Sequence, residues 1–365
     1  MEHTATGEAF TSDHDHAPWL LQLPPSPGNS PLTHPTLTQT IMEKPCILAT
    51  RLGSAGGIYQ CFAPSIEKHF TIISTEEFEL KEQELAGKIR AVFVWGHALN
   101  IDRNLLQSLP NLIVVVNGGV GVDHLDIPLI NSFGVKVCNT PHIVDNATAD
   151  LGMGLMLASA RKILDGHMFS VDHSMDYLSE TFMGNDVSGA TLGIIGMGRI
   201  GYKVAKRAQG FEMKILYHNR NRRPEEQEQA VGATYCEKME DLLKRSDFVI
   251  LVVNLSPQTH KLIGSKELAM MKPTGTLINI SRGLVVDQDA LVDALQRKII
   301  RAAALDVTYP EPLPRGHPLL SLPNVIVLPH LGTHTVETYR LMVERMVTIA
   351  LAALSGDAPP DEVKV

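Results

Sequence analysis

From Cys46 onward, short apolar runs alternate with stretches whose apolar residues recur at helical spacing. Ile47–Ala49, Thr71–Ile73, Ala91–Trp95, Leu112–Val116 and Lys136–Cys138 read as strands, with helical patterns such as Glu76–Lys88 and Asp102–Leu109 between them. A second series follows at Thr191–Ile195, Lys214–Tyr217, Phe248–Val253, Thr276–Ile280, Ala302–Leu305 and Val325–Leu328. Strands alternating with helices predict βαβ units and parallel sheets, so the economical architecture is two parallel α/β domains. Between the two series, Thr148–Ile163 is a long helical pattern. It carries Ala149, Gly152, Gly154 and Ala158, small side chains suited to close packing between domains.

Residues 1–43 break this pattern. They hold Pro18, Pro24, Pro25, Pro27, Pro31 and Pro35, many Ser and Thr, and acids where a targeting sequence would need bases. This composition predicts a disordered extension, too polar to offset its own ordering entropy. His14 and His16 lack nearby partner ligands and read as solvated histidines; no metal site is expected. The 365-residue chain as a whole is 44% hydrophobic and 20% charged, an ordinary globular balance. Its net charge of -8 disfavours nucleic acid as a partner, and no apolar run is long enough for a bilayer. Cys46, Cys61, Cys138 and Cys236 form no CxxC pair, which points to a reducing, cytoplasmic setting.

The most informative local pattern is Thr191-Leu192-Gly193-Ile194-Ile195-Gly196-Met197-Gly198-Arg199-Ile200-Gly201. An apolar strand runs into GxGxxG, and a helical pattern, Tyr202–Gln209, follows and is closed by Gly210. Gly196 suits the tight turn, Gly198 lets backbone approach a pyrophosphate, and Gly201 lets the helix sit close on the strand. Gly196, Gly198, Arg199, Ile200 and Gly201 are therefore assigned to a dinucleotide. At the end of the next strand, an acid would bind a free ribose 2′-hydroxyl. This chain has Tyr217-His218-Asn219-Arg220-Asn221-Arg222-Arg223 instead. Guanidinium groups favour a 2′-phosphate, so NADPH/NADP is expected over NADH, with Arg220 the first contact and Asn219 and Arg223 assisting.

Three polar groups follow strands of the second series: Arg282 after Ile278-Asn279-Ile280-Ser281, Glu311 after Asp306, and His330 after Leu328-Pro329. Carboxyl ends of parallel strands edge the ligand crevice of a doubly wound sheet. An arginine, a carboxylate and a histidine meeting there make an acid–base pair beside an anion clamp. In the first series, a strand leads into Gly118-Gly119-Val120-Gly121-Val122-Asp123. Free N–H groups of Gly119, Val120 and Gly121 would form a small anion nest.

The passages VVNGGVGVDHLD, TADLGMGLMLASAR, TLGIIGMGRIG, LINISRGLVVDQDAL, AAALDVTYPEPLPRGHPLL and NVIVLPHLGTHT resemble the D-isomer-specific 2-hydroxyacid dehydrogenase family, nearest its glyoxylate/hydroxypyruvate reductases. The resemblance covers nearly everything after residue 45. It implies a flavodoxin-like substrate domain at 44–143 plus 332–365, a Rossmann NAD(P)-binding domain at 144–331, and a homodimer. It implies NADPH-dependent reduction of glyoxylate and hydroxypyruvate to glycolate and D-glycerate. His330 would give the proton, Glu311 would stabilise the charged ring, and Arg282 would hold the substrate carboxylate. Gly119, Val120 and Gly121 would share that carboxylate. Asn254, Ile280, Asp306 and Gly332 would neighbour the cofactor, Asp306 being structural or cofactor-facing.

Two departures matter. Animal members carry tryptophans between the interdomain helix and the glycine turn, whereas Met175–Met183 has none; a different pocket would suit a larger oxoacid such as 2-ketogluconate. His334 stands where the family usually has a small residue. A rival of another class is a dinucleotide-sensing corepressor scaffold, which shares the fold and the Arg, Glu and His.

Overall fold

The computed structural model describes residues 43–53, 57–172 and 179–364. The predicted disordered extension, with His14 and His16, and part of the tryptophan-free stretch, 175–178, lie outside the described residues.

Strands buried on both faces need unbroken apolar runs, and only parallel sheets covered by helices on both sides bury strands in this way. Two such sheets are present. The first contains β1 (Cys46–Ala49), β2 (Thr71–Ser74), β3 (Ile89–Trp95), β4 (Val114–Gly118) and β5 (Lys136–Cys138) in the order β2-β1-β3-β4-β5. The second contains β6 (Thr191–Ile195), β7 (Lys214–His218), β8 (Ala233–Tyr235), β9 (Phe248–Leu251), β10 (Thr276–Asn279), β11 (Ala302–Leu305) and β12 (Val325–Val327). Its order is β12-β11-β10-β9-β6-β7-β8. All these strand pairs are parallel. The first order is flavodoxin-like and the second is the Rossmann order extended by a strand.

Each sheet has a core on either face. Along β9, Phe248 and Ile250 enter one core while Val249 and Leu251 enter the other. Along β4, Val114 and Val116 face one core and Val115 the opposite one. Each such side chain contributes roughly 2 kcal/mol by leaving water. The helix Val336–Leu354 returns to the first sheet, burying Tyr339, Met342, Val343 and Met346 among its residues. The last residues then add to its edge, with Val363 N–H donating to Val137 and Glu362 bridging Cys138 antiparallel. Among the described residues, no helix is long and apolar enough to cross a membrane.

Several sequence expectations are corrected. Glu76–Lys88 is not one helix: Ser74 caps Thr75–Leu80, Lys81 leaves helical geometry (φ -132°, ψ 30°), and Glu82–Leu85 and a 3-10 turn follow. Thr148–Ile163 is instead a helix at Asp145–Ala160 and another at Ile163–Val171, divided by Lys162 at φ 51°. The glycine-turn helix spans Arg199–Ala208, and Glu212 at φ 55°, not Gly210, adopts the left-handed turn that ends this segment. The run Phe248–Val253 leaves the sheet after Leu251, and the fourth strand runs two residues later than Leu112–Val116. β8 was missed because three residues at a sheet edge leave no periodic trace.

Candidate active site

Both sheets reverse their strand order at one point, β1/β3 in the first and β6/β9 in the second, and crevices form beyond the strand ends there. The glycine turn leaves β6 at that point. Gly196 has φ 98°, and a Cβ on it would lie 2.4 Å from the Val252 carbonyl oxygen. A Cβ on Gly201 would lie 2.5 Å from the Gly196 oxygen. Around Gly198, by contrast, a Cβ would meet nothing within 4 Å. Two glycines thus pack backbone on backbone, and the third leaves open space at the N-terminus of a ten-residue helix. That combination fits a dinucleotide pyrophosphate.

The turn is fastened to the basic loop after β7. Asn219 Oδ1 accepts from Met197 N–H at 2.6 Å, and its Nδ2 donates to Met197 O at 3.2 Å. Arg223 Nη1 donates to the same carbonyl at 2.7 Å. Arg220 is exposed and makes no hydrogen bond or ion pair among the described residues. Arg199 sits 3.3 Å from Asp145 Oδ2 with its side chain 45% exposed. Ile200 packs against the cores of both sheets. The side chain of Ile280 is buried, with its Cδ1 2.9 Å from where a Gly152 Cβ would stand, so only its backbone can edge the crevice. Asn254 is exposed in the loop after β9, its carbonyl accepting from Thr259 Oγ1.

The loops after β10, β11 and β12 bring Arg282, Glu311 and His330 together. Gly283 permits a close approach: a Cβ there would lie 2.0 Å from the Thr308 backbone. Gln288 holds the Tyr309 backbone through both its N–H and its carbonyl. Glu311 Oε1 accepts from Thr308 N–H at 3.1 Å, and Oε2 meets His330 Nδ1 at 2.9 Å. With Glu311 accepting, Nδ1 carries a proton, and Nε2 has no partner among the described residues. Burial pushes the Glu311 carboxyl up, but the His330 hydrogen bond, its charge and that of Arg282 outweigh this and hold it below the ordinary carboxylate value.

Asp306 shows which of its two expected roles the geometry favours. It is 1% exposed, and its two oxygens accept from Leu331 N–H at 2.6 Å and Gly332 N–H at 2.9 Å. Its own carbonyl accepts from His330 N–H. Asp306 therefore shapes the backbone that carries His330 at φ 60°, a left-handed conformation histidine adopts more readily than most residues. Burial raises the Asp306 pKa despite those N–H groups.

The first sheet supplies the facing loop. Asn117, 1% exposed, donates to Gly119 O and Gly121 O at 3.2 and 2.9 Å, and Asn139 donates to Val120 O. The expected three-member nest needs correction. Gly119 N–H is already donated to Thr140 Oγ1 at 2.8 Å, so of the three only the Val120 and Gly121 N–H groups have no partner among the described residues. Arg282 reaches into this loop from the other sheet. Its Nε donates to Asp123 at 2.9 Å, and a Cβ on Gly121 would lie 1.7 Å from its Nη2. Asp123 went unnoticed as a functional residue, although it lies inside a motif read for its glycines.

An aromatic rim borders this loop. Trp95 ends β3 against Gly118 and stacks on Tyr339 at 4.4 Å. Tyr59 lies 4.7 Å from Tyr339 and 6.0 Å edge-on to His334. Desolvation, then repulsion from His330, lowers the His334 pKa, although the residue is exposed.

Comparison with known proteins agrees with this geometry. Residues 153–332 match the model of the D-isomer specific 2-hydroxyacid dehydrogenase NAD binding domain. A glyoxylate reductase of Thermococcus gammatolerans is 39% identical over 325 residues, covering 87% of this chain and 95% of the relative. A glyoxylate/hydroxypyruvate reductase B of Pectobacterium carotovorum is 39% identical over 80% of this chain and 91% of the relative. Among solved structures, an NADPH-dependent glyoxylate/hydroxypyruvate reductase of Sinorhizobium meliloti, in complex with NADP and malonate, superposes with a TM-score of 0.76. It is 30% identical and covers 88% of this chain and 97% of its own. With sequence, fold and site geometry in agreement, the chain belongs to the D-isomer specific 2-hydroxyacid dehydrogenase family of oxidoreductases.

Proposed function

We propose that this protein reduces small 2-oxoacids, glyoxylate and hydroxypyruvate first, to glycolate and D-glycerate, with NADPH as reductant. The observation that carries this is the Glu311–His330 contact lying within electrostatic reach of Arg282, which itself touches the Gly121 loop. Gly196, Gly198, Arg199 and Gly201 would hold the pyrophosphate. Arg220, Asn219 and Arg223 would hold the 2′-phosphate. Asn254, the Ile280 backbone and Gly332 would border the nicotinamide end, with Asp306 fixing the backbone there. The bound dinucleotide supplies a hydride.

The protein's own groups do the rest. Val120 and Gly121 N–H and Arg282 bind the substrate carboxylate and orient the carbonyl. His330 gives a proton to the carbonyl oxygen as the new alcohol forms, and Glu311 stabilises the charged imidazole before that transfer. Named activities of the Thermococcus, Pectobacterium and Sinorhizobium relatives support this substrate class. The two α/β domains would divide at 143/144 and 331/332. The apolar face of Ile163, Leu164, Met168 and Val171, each at least half exposed, supports a homodimer. Cys61, Cys138 and Cys236, free thiols among the described residues, support a reducing, cytoplasmic setting.

The aromatic rim of Tyr59, Trp95 and His334 favours a second reading, a preference for a longer oxoacid such as 2-ketogluconate. One experiment decides: NADPH absorbance followed with glyoxylate, hydroxypyruvate and longer 2-oxoacids. Turnover greatest with the two- and three-carbon acids supports the first reading, and greatest with the longer acids the second. Tight NADPH binding without turnover of any oxoacid would instead indicate a dinucleotide sensor.

A further inference from the structure

The three arginines after β7 have three different fates. Arg222 is bound side-on by Glu228, with Nε to Oε1 at 2.9 Å and Nη2 to Oε2 at 2.7 Å, and its guanidinium lies 5.7 Å from the Tyr235 ring. Arg223 reaches Met197 of the glycine turn and Gln227, and lies 5.0 Å over the Tyr202 ring. Arg220 alone is uncommitted among the described residues.

Glu228 organises this division. It belongs to the helix Glu225–Val231 and is 4% exposed, although its sequence surroundings, Glu225-Glu226-Gln227-Glu228-Gln229, read as a solvated acidic face. Besides Arg222 it accepts a hydrogen bond from the Tyr217 hydroxyl. That hydroxyl in turn accepts from Arg223 N–H at 2.9 Å. One buried carboxylate thus anchors the loop at Arg222 through its side chain and at Arg223 through the Tyr217 hydroxyl.

We infer that Glu228 is a positioning residue for the 2′-phosphate end of NADP(H): by binding Arg222 and Tyr217 it fixes the 219–223 loop so that Arg220 and the Arg223 Nη2, which has no partner among the described residues, can face the phosphate. This rests on the NADPH reading above. The charges agree with it. Glu228 cancels Arg222, leaving two guanidinium groups, and a phosphate monoester carries roughly -1.5 to -2 at neutral pH. The network also persists at that pH. Arg222 holds the Glu228 carboxyl below its ordinary value, while burial, with the hydrogen bond to Glu228, pushes Tyr217 up to about 12. A carboxylate therefore serves phosphate binding from beneath, where at the strand end it would repel.

Steady-state kinetics of Glu228→Gln with NADPH and with NADH tests this. KM for NADPH should rise about tenfold, the loss of a charge-assisted pair, while KM for NADH and kcat stay within about twofold. A folded variant whose NADPH/NADH preference is unchanged, or whose two KM values rise together, overturns the inference. Should Glu228→Gln fail to fold, Tyr217→Phe decides by the same ratio, with a shift of about tenfold expected for loss of the charge-assisted hydrogen bond to Glu228 together with the one from Arg223 N–H. Arg220→Ala in the same assay separates the two possible failures. An unchanged ratio there removes the 2′-phosphate site itself. A ratio that collapses in Arg220→Ala but survives in Glu228→Gln removes only the role of Glu228.

Discussion

The molecule has two glycine turns, one after β4 and one after β6, and they solve different problems. The turn after β6 runs straight into the helix Arg199–Ala208, so N–H groups and helix dipole face one way. Its local geometry alone suits an anion. The turn after β4 is followed by no helix until Ile127. It offers two N–H groups that have no partner among the described residues, is braced by Asn117, Asn139 and Thr140, and borrows its guanidinium from Arg282, 159 residues beyond Asp123. A turn that serves any dinucleotide can be self-contained. In the function proposed above, a turn that selects one small acid beside one imidazole depends on the other sheet.

Removing the borrowed group should have the largest effect. Arg282→Ala should lower kcat/KM for glyoxylate about a thousandfold, roughly 4 kcal/mol, with dinucleotide binding intact in a fluorescence titration. Next come the glycines of the self-contained turn. Gly198→Val should fold normally and bind the dinucleotide about a hundredfold more weakly, because its side chain enters the open space above the turn. Gly201→Ala should instead cost about 1–3 kcal/mol of stability in denaturant titration, its Cβ meeting backbone. Equal behaviour of the two variants would contradict the division of roles drawn here.

Asp123→Asn addresses the link between the turns. Loss of the ion pair that orients Arg282 should raise KM for the oxoacid about tenfold and leave KM for NADPH unaltered. The smallest effect concerns pH. The folded Glu311 pKa lies below its unfolded value, so its stabilisation is complete above about pH 4.3 and lost as pH falls through the folded pKa. Asp306 has the opposite sign: its pKa is raised, so its contribution is complete below about pH 3.9 and lost as pH rises through the folded value. Glu311→Gln should therefore lose less stability than the parent between about pH 5 and 3 in acid unfolding monitored by circular dichroism.

The same contrast governs what the sequence reveals. The β6 turn is written in eleven consecutive residues, so its glycines and the helix after them were open to reading before any fold was known, whereas Asn219, read only as a phosphate contact, clasps Met197 from outside that run. Arg282, Glu311 and His330 could be named because strand ends of one sheet share a crevice. The tie between Arg282 and Asp123 could not, since no local rule aligns the two sheets. Glu228 was hidden differently: an acidic run usually faces water, and only the burial of Tyr217 beneath it turns one of its members inward. Gly119 was misjudged because the Thr140 hydroxyl that takes its N–H lies beyond the next strand.

The claim on which the catalytic account depends is that His330 delivers the proton to the oxoacid. His330→Asn, which keeps a residue tolerant of the left-handed backbone, should bind NADPH with the parent's affinity. Its glyoxylate turnover, measured on the same preparation, should fall at least a thousandfold. Turnover within tenfold of the parent would contradict the account.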